Sequence, residues 1–345
     1  MKETPEITSE RKKDHLDVCL NEDAEFQNKN NGFEKYHFEH YAITEVDYSK
    51  MDLTTAFLDK EISFPFLISC MTGGVKESIT INEKLAEIAE ELKIAIGVGS
   101  QRQALEDDSY IDSYKAFRKM APNVPLLGNI GAGEVACSSD IVGMGNRLID
   151  MIEADALVIH FNPLQELFQK EGDTDFTGLL NNIEKLCGRI ETPIIAKEVG
   201  SGIGKAAAKK LLEAGVKGID VAGSGGTSWA AVEMIRNKNR NEYFWDWGIP
   251  TAECIIGVKK LKKKYKFDLI ASGGIKNGID VAKSLALGSD IVASANVILK
   301  HLVINSEEGV IDLIENWFED VKRIMFLTGC ANLNEFKTNK LKRGD

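Results

Sequence analysis

Cysteine is sparse in this 345-residue chain: Cys19, Cys70, Cys137, Cys187, Cys254 and Cys330, with about 50 residues between the closest two. No pair has CxxC spacing, so neither a zinc ribbon nor a compact disulfide framework is encoded, and reduced, mostly buried thiols are expected. Long apolar runs are missing as well. The most charge-poor stretches, Phe64 to Gly74 and Ile291 to Leu299, fall short of the ~18 residues that a membrane span needs. The opening segment MKETPEITSERKKDH lacks the apolar core of a signal peptide, and its acidic residues argue against a mitochondrial presequence, which leaves the cytoplasm as the expected location. Positive charge is in deficit, with 42 Lys+Arg against 53 Asp+Glu and a net charge of −11, so a nucleic-acid partner is disfavoured and an anionic ligand needs locally placed cations. With 43% hydrophobic and 28% charged residues the chain is neither disordered nor collagen-like, and it can bury a sizeable core.

What is present is an alternation. Residues 1 to about 60 read as a polar, irregular arm and cap. From residue 64 onward, short apolar runs are each followed by a Gly-rich or polar turn and then an amphipathic helical pattern. The runs are Phe66–Met71, Ile94–Gly99, Pro125–Ile130, Ala156–Phe161, Pro193–Val199, Gly218–Ala222, Asp268–Ser272 and Asp290–Ala295. Helical patterns lie between them, for example Ile81, Leu85, Ile88, Ala89 and Leu92, then Ile141–Ile152, Thr177–Cys187, Lys205–Ala214, Glu253–Lys264 and Gly278–Leu287. Continuous apolar strands with crossover helices imply a parallel sheet covered on both faces, and eight such units close a (β/α)8 TIM barrel. The barrel occupies 61–335, the N-terminal arm and cap belongs to the same domain, and 336–345 reads as a polar tail. A doubly wound sheet is the alternative, but no GxGxxG motif is well placed for it. The connection Gly223–Trp247 is long and carries Trp229, Trp245 and Trp247, as lids often do.

A barrel site is built at the carboxyl ends of the strands. Those positions read Met71-Thr72-Gly73-Gly74, Ser100-Gln101-Arg102, Asn129, His160 through Glu166, Lys197-Glu198, Ser224-Gly225-Gly226-Thr227, Gly273-Gly274 and Ser294-Ala295-Asn296. The last three groups suit a phosphate cradle of backbone N–H groups, although the same glycines also serve tight βα turns. Lys197 sits inside an apolar run, where its charge needs an anionic partner: a phosphate, an electron-rich cofactor ring, or a salt bridge with Glu198. Glu166 could hold Mg²⁺ or simply favour a helix N-terminus. Arg11, Lys12 and Arg102 could supply the cations for a diphosphate, with a solvated surface run as the other reading of Arg11-Lys12-Lys13. His37 and His40 are assigned to structure.

Taken in order, these residues resemble one family. Arg11-Lys12-Lys13-Asp14-His15, Met71-Thr72-Gly73-Gly74, Gly99-Ser100-Gln101-Arg102, His160-Phe161-Asn162-Pro163-Leu164-Gln165-Glu166, Lys197-Glu198-Val199-Gly200, Gly225-Gly226-Thr227-Ser228-Trp229, Asp246-Trp247-Gly248 and Ser272-Gly273-Gly274 are similar to the motifs of type 2, flavin-dependent isopentenyl diphosphate isomerases, over residues ~10 to ~330. The resemblance implies an FMN-binding barrel that interconverts isopentenyl and dimethylallyl diphosphate, needs Mg²⁺, uses NADPH to reduce the flavin, and assembles as a tetramer or octamer. It implies FMN contacts from Met71, Thr72, Gly73, Ser100, Asn129, Lys197, Ser224, Thr227, Gly273, Gly274, Ile275, Ala295 and Asn296. Substrate contacts are implied for Arg11, Lys12, Ser100, Gln101, Arg102, His160, Asn162 and Gln165, with Glu166 on the metal and Gln165, His160 and Lys197 closest to the chemistry. The shift requires a proton at C4 and the loss of another from C2, with positive charge at C3, which a reduced flavin could stabilise. FMN-dependent oxidases of 2-hydroxy acids would share the barrel. They resemble one another in a late His-Arg pair, however, and here no histidine lies between His160 and His301. A non-catalytic phosphate-binding barrel is the remaining alternative.

Overall fold

In the computed structural model, residues 5–71, 76–338 and 341–344 are described. Thr72, Gly73 and Gly74 lie outside them. All eight anticipated apolar runs form strands: β1 (Phe66–Ile68), β2 (Ala95–Gly97), β3 (Leu126–Gly131), β4 (Ala156–Phe161), β5 (Ile194–Glu198), β6 (Gly218–Asp220), β7 (Asp268–Ala271) and β8 (Ile291–Ser294). Each pairs in parallel with the next, and β8 closes on β1 through Val292 opposite Phe66, so the sheet is a closed barrel rather than an open doubly wound one.

Strand alternation fills the barrel and also aims the site. Leu127, Val158 and Ile195 point inward into one interior cluster, while Leu126, Leu157, Ile159 and Ile194 point outward under the helices. Two residues further along, Asn129, Lys197 and, on β4, His160 occupy the next inward positions, where the apolar filling gives way to polar groups. The outward-pointing surface packs against amphipathic helices such as Ile141–Ile152, whose buried residues include Leu148, Met151 and Ile152.

Helices α1 (Pro5–Asn21), α3 (Pro163–Phe168), α4 (Trp229–Arg236) and α5 (Asn296–Leu327) bring residues to the mouth, with α2 (Ile111–Met120) behind the lining, and α5 is broken at Ser306, where φ is 67°. One expectation needs correction here. The first 60 residues are not irregular throughout: Pro5–Asn21 form α1, a 17-residue helix packed on α4 and α5 across the carboxyl end of the barrel. Its inward stripe, Arg11, His15, Val18 and Cys19, has helical spacing but is half polar, so apolar periodicity does not reveal it. Part of the same segment serves the opposite end: the hairpin Thr55–Phe57/Lys60–Ile62 inserts Phe57 and Ile62 into the amino-end mouth of the barrel. Within the polar tail, Leu341–Arg343 pairs antiparallel with Tyr36–Phe38. The long connection after β6 folds into α4, capped by Ser228, and a short helix whose Trp245 is buried and donates its indole N–H to Glu25 O at 2.8 Å. No helix of the described residues is long and apolar enough to cross a membrane.

Candidate active site

The carboxyl end of the barrel opens into a cavity of about 280 Å³ under α1 and α4. That is close to the lower bound for small-molecule sites and too small for a macromolecule. Arg11 and Lys12 reach it from α1, Arg102 from the turn after β2, and Lys197 from β5, while Ser100, Asn129, His160, Asn162, Gln165 and Glu166 make up the facing wall. Met71, Thr227, Gly273, Gly274, Ile275, Ala295 and Asn296 line it as well. Two of the residues expected here are elsewhere. Gln101 is fully buried behind the wall, donating to Leu148 O at 3.0 Å and accepting from Asn129 N at 2.8 Å. The Ser224 hydroxyl is also buried outside the lining, without a hydrogen-bond partner among the described residues. Neither lines this cavity. Gln101 instead fixes the backbone of Asn129, because the turn after β2 directs its side chain outward toward the Ile141–Ile152 helix.

The glycine turns owe their glycines to backbone packing. A Cβ on Gly273 would lie 2.0 Å from Gly223 O, and φ there is +100°; a Cβ on Gly226 would lie 2.7 Å from Gly274 N. The turns after β6 and β7 therefore touch each other directly while presenting their edges to the cavity. Beside them Asn296 donates to Thr227 Oγ1 at 3.1 Å and keeps a buried Oδ1 with no partner among the described residues. That unpartnered acceptor in a glycine-lined recess suits a ligand carrying ring or ribityl donors, such as a flavin.

Lys197 is held from two sides. Its Nζ donates to Glu198 O at 2.9 Å and lies 3.5 Å from Asp220 Oδ2, whose other oxygen accepts from Ser272 Oγ at 2.5 Å. The ion-pair partner is thus Asp220 on β6 and not Glu198. The Glu198 carboxylate points the opposite way and gathers the backbone N–H groups of Val199, Gly200, Ser201 and Gly202 on one oxygen. Sequence reasoning missed Asp220, although a charge closing the apolar run GID at a strand end is the same signal that exposes Lys197.

A web of amides and carboxylates supports the opposite wall. Asn129 donates to Val98 O at 3.1 Å, which fixes its Oδ1 as the acceptor for His160 Nδ1 at 2.8 Å and places the imidazole proton on Nδ1. Burial, with Lys197 and Lys12 nearby, lowers the His160 pKa to about 4, so the ring is neutral. Asn162, at the start of α3, donates to Gln165 Oε1 at 3.3 Å and to Glu166 Oε1 at 2.7 Å, while Glu166 Oε2 accepts from Asp173 N at 2.8 Å. Burial raises the Glu166 pKa.

Behind Gln165 lies a residue that the sequence does not single out. Glu233 on α4 is fully buried and accepts from His15 Nε2 at 2.6 Å, Arg236 at 2.6 Å and Gln165 Nε2 at 3.2 Å. Gln169, with its amide turned so that nitrogen faces Glu233 at 3.2 Å and oxygen faces Arg11 at 3.0 Å, extends the web to the cation rim. Burial alone would raise the Glu233 pKa, but the His15 bond and the Arg236 charge outweigh it and hold the carboxyl below its usual range. His15 also meets Trp229 edge to face at 5.1 Å between centroids. One buried carboxylate thus ties α1, α3 and α4 together over the cavity.

The closed parallel barrel, with a small polar cavity at its carboxyl end and a buried lysine facing inward, is the frame of a barrel enzyme, and the model of the FMN-dependent dehydrogenase family, which matches residues 154–343, makes it a barrel flavoprotein. Solved structures with the same architecture include a flavocytochrome b2 variant, at TM-score 0.71 and 18% identity over 95% of this chain and 82% of that one. A mandelate oxidase variant superposes at 0.68 with 14% identity, covering 95% of both chains. Full-length relatives are far closer in sequence. Isopentenyl-diphosphate delta-isomerases of Nostoc sp. and Pelodictyon phaeoclathratiforme are 47% and 45% identical, over 96% and 97% of this chain and 94% and 97% of theirs. The chain belongs to the isopentenyl-diphosphate delta-isomerase family, in its type 2, FMN-dependent form.

Proposed function

We propose that the protein interconverts isopentenyl diphosphate and dimethylallyl diphosphate by a 1,3-allylic proton shift, with FMN as its resident cofactor, Mg²⁺ on the diphosphate and NADPH as flavin reductant. The observation that carries this reading is the cavity itself: the cations Arg11, Lys12 and Arg102 on one rim, a wall of amides and neutral imidazole, and Lys197 on a third side. A diphosphate needs the first and an uncharged alkene tolerates the second, while the third favours an electron-rich ring. When bound, reduced FMN supplies an electron-rich surface for charge developing at C3 and a ring nitrogen for proton exchange. It would be held by Met71, Ser100, Asn129, Lys197, Thr227, Gly273, Gly274, Ile275, Ala295 and Asn296. Thr72 and Gly73, outside the described residues, complete the proposed set.

The chain's own groups then bind and orient. Arg11 and Lys12 anchor the diphosphate with Arg102, which is itself steadied by Glu106 at 2.8 Å and Glu134 at 2.9 Å. His160, neutral and with its Nδ1–H committed to Asn129, keeps Nε2 as an acceptor and adds an uncharged, oriented wall beside the anchored substrate. Gln165 hardly titrates. Held between Asn162 and Glu233, it positions the alkene or a proton-relaying water and does not serve as a free base. Glu166 holds Mg²⁺ with its two oxygens already oriented. Among the described residues no group of three or more His, Cys, Asp or Glu could hold a metal, so the ion relies on one carboxylate and on substrate oxygens, as Mg²⁺ commonly does. Exposed Leu167, Leu180, Tyr243, Trp247 and Ile249 lie in a second, apolar groove and support self-association; a homotetramer or homo-octamer is the assembly that the family resemblance implies, which light scattering decides. The protein is assigned to the cytoplasm.

The test is anaerobic conversion of isopentenyl diphosphate with Mg²⁺ and reduced FMN, oxidised FMN or no flavin. Turnover with reduced flavin alone supports the isomerase. Flavin reduction by a 2-hydroxy acid without isomerisation would transfer the protein to the oxidoreductases of similar fold.

A further inference from the structure

Donors from two different helices converge on one carbonyl oxygen beneath the cation rim. Ser100 O, in the turn after β2, accepts from Lys12 Nζ of α1 at 3.1 Å and from the Tyr114 hydroxyl of α2 at 2.5 Å. The same hydroxyl accepts from Lys12 Nζ at 3.2 Å, and the amine sits 5.9 Å from the ring centroid. The N-terminal helix is thereby locked in a triangle of hydrogen bonds to a stretch 88 to 102 residues away, made of the turn after β2 and helix α2 beyond it. Tyr114 itself is fully buried and is not among the cavity-lining residues, whereas Ser100 and Lys12 are. Burial pushes the phenol up, so the hydroxyl keeps its proton and stays a donor. Arg11, Arg102, Glu106 and Glu134 are the charged groups around the amine.

We propose that Tyr114 is a positioning residue for diphosphate recognition, holding the Lys12 amine and the Ser100 carbonyl in one arrangement before an anion arrives. A lysine side chain that must be immobilised on binding costs affinity, and one held in advance does not. Tyr114 meets no ligand; it acts through Lys12. The proposal rests on the isomerase reading for the identity of the substrate, but the geometry requires only a pyrophosphate-type anion.

Tyr114→Phe removes the hydroxyl and keeps the ring that fills the space. Calorimetric titration of the FMN-loaded protein with inorganic pyrophosphate and Mg²⁺ should show affinity about tenfold weaker than wild type, the scale of a hydrogen bond to a charged group. In turnover the loss should fall on KM, with kcat within about twofold. In a Lys12→Met background the Tyr114→Phe effect should vanish. Unchanged pyrophosphate affinity in Tyr114→Phe overturns the proposal, as does an undiminished loss in the Lys12→Met background. Lys12→Met alone provides an arm independent of how the Tyr114→Phe chain folds: if it binds pyrophosphate as well as wild type, there is no positioned amine and the proposal fails. A wild-type protein that binds pyrophosphate but does not isomerise would sink the isomerase reading and leave the Tyr114 test intact.

Discussion

Replacing Lys12 by arginine should abolish a pH dependence that the wild-type site builds in. Burial, followed by the neighbouring Arg11 charge, lowers the Lys12 pKa from 10.5 to about 7. An anionic ligand selects the ammonium, so above pH 7 the binding-competent fraction falls roughly tenfold per pH unit. Between pH 7 and 9 kcat/KM for isopentenyl diphosphate should fall by up to roughly a hundredfold, mostly through KM. The substrate adds no opposing slope there, because a phosphate's second pKa is about 6. His160, at about 4, is neutral throughout. A guanidinium stays charged across this window, so the Lys12→Arg profile should be flat. The same shift makes a signed statement about folding. Between pH 7 and 10.5 the unfolded chain binds the Lys12 proton more tightly than the folded one, so the ligand-free protein gains stability as pH rises through that range. Urea midpoints at pH 7 and 9 should rise in wild type and lose that increment in Lys12→Met. Steady-state kinetics from pH 7 to 9 decide the matter: a flat wild-type profile, or an equal slope in Lys12→Arg, refutes the reasoning.

Further outcomes follow from the site, with one control outside it. Lys197→Ala should weaken FMN binding or slow its reduction by tenfold or more, since it deletes a charge-assisted contact and leaves Asp220 buried with Ser272 as its remaining side-chain partner; normal FMN affinity with normal reduction, followed by flavin absorbance, rejects the role. Glu166→Gln should raise the Mg²⁺ concentration required for turnover while leaving FMN bound, and unchanged activity at limiting Mg²⁺ counts against the metal assignment. Gly273→Ala must push a Cβ against Gly223 O at a φ of +100°, so FMN affinity should collapse and stability fall by about 1–3 kcal/mol. Gly178→Ala, at φ +83° with nothing within 4 Å, should cost only about 1 kcal/mol and spare FMN, which separates packing from conformation. Wild-type flavin affinity in the Gly273→Ala variant contradicts the cradle.

The barrel was legible because its signal is local and repeated. Runs such as Ala156–Phe161 and Ile194–Glu198 are apolar on both faces, and only a sheet covered on both sides accommodates that. Helix α1 was not legible for the converse reason. It docks on the site through Arg11, Lys12 and His15, so the face that apolar periodicity should mark is polar, and the sequence looks irregular where it is helical. Leu341–Arg343 escaped too, because a three-residue strand depends on Tyr36–Phe38, some 300 residues away.

Within the site, legibility followed the same division between strand and turn. Asn129, His160 and Lys197 continue the inward alternation of Leu127, Val158 and Ile195, so a period of two is enough to predict their direction. Gln101 lies beyond the end of β2, where that rule lapses, and its amide turns away to Leu148 O. Glu233 and Tyr114 lie on helices whose registers relative to the barrel are set by tertiary packing, and each is buried behind a residue that the motifs do name: Gln165 in one case, Lys12 in the other. Such groups carry no motif of their own. They become visible as buried polar side chains whose partners come from elements distant in sequence, because a buried carboxylate or phenol is retained only where its hydrogen bonds are met. A motif therefore names the groups that meet the ligand, and the buried polar side chains behind them show what holds those groups in place.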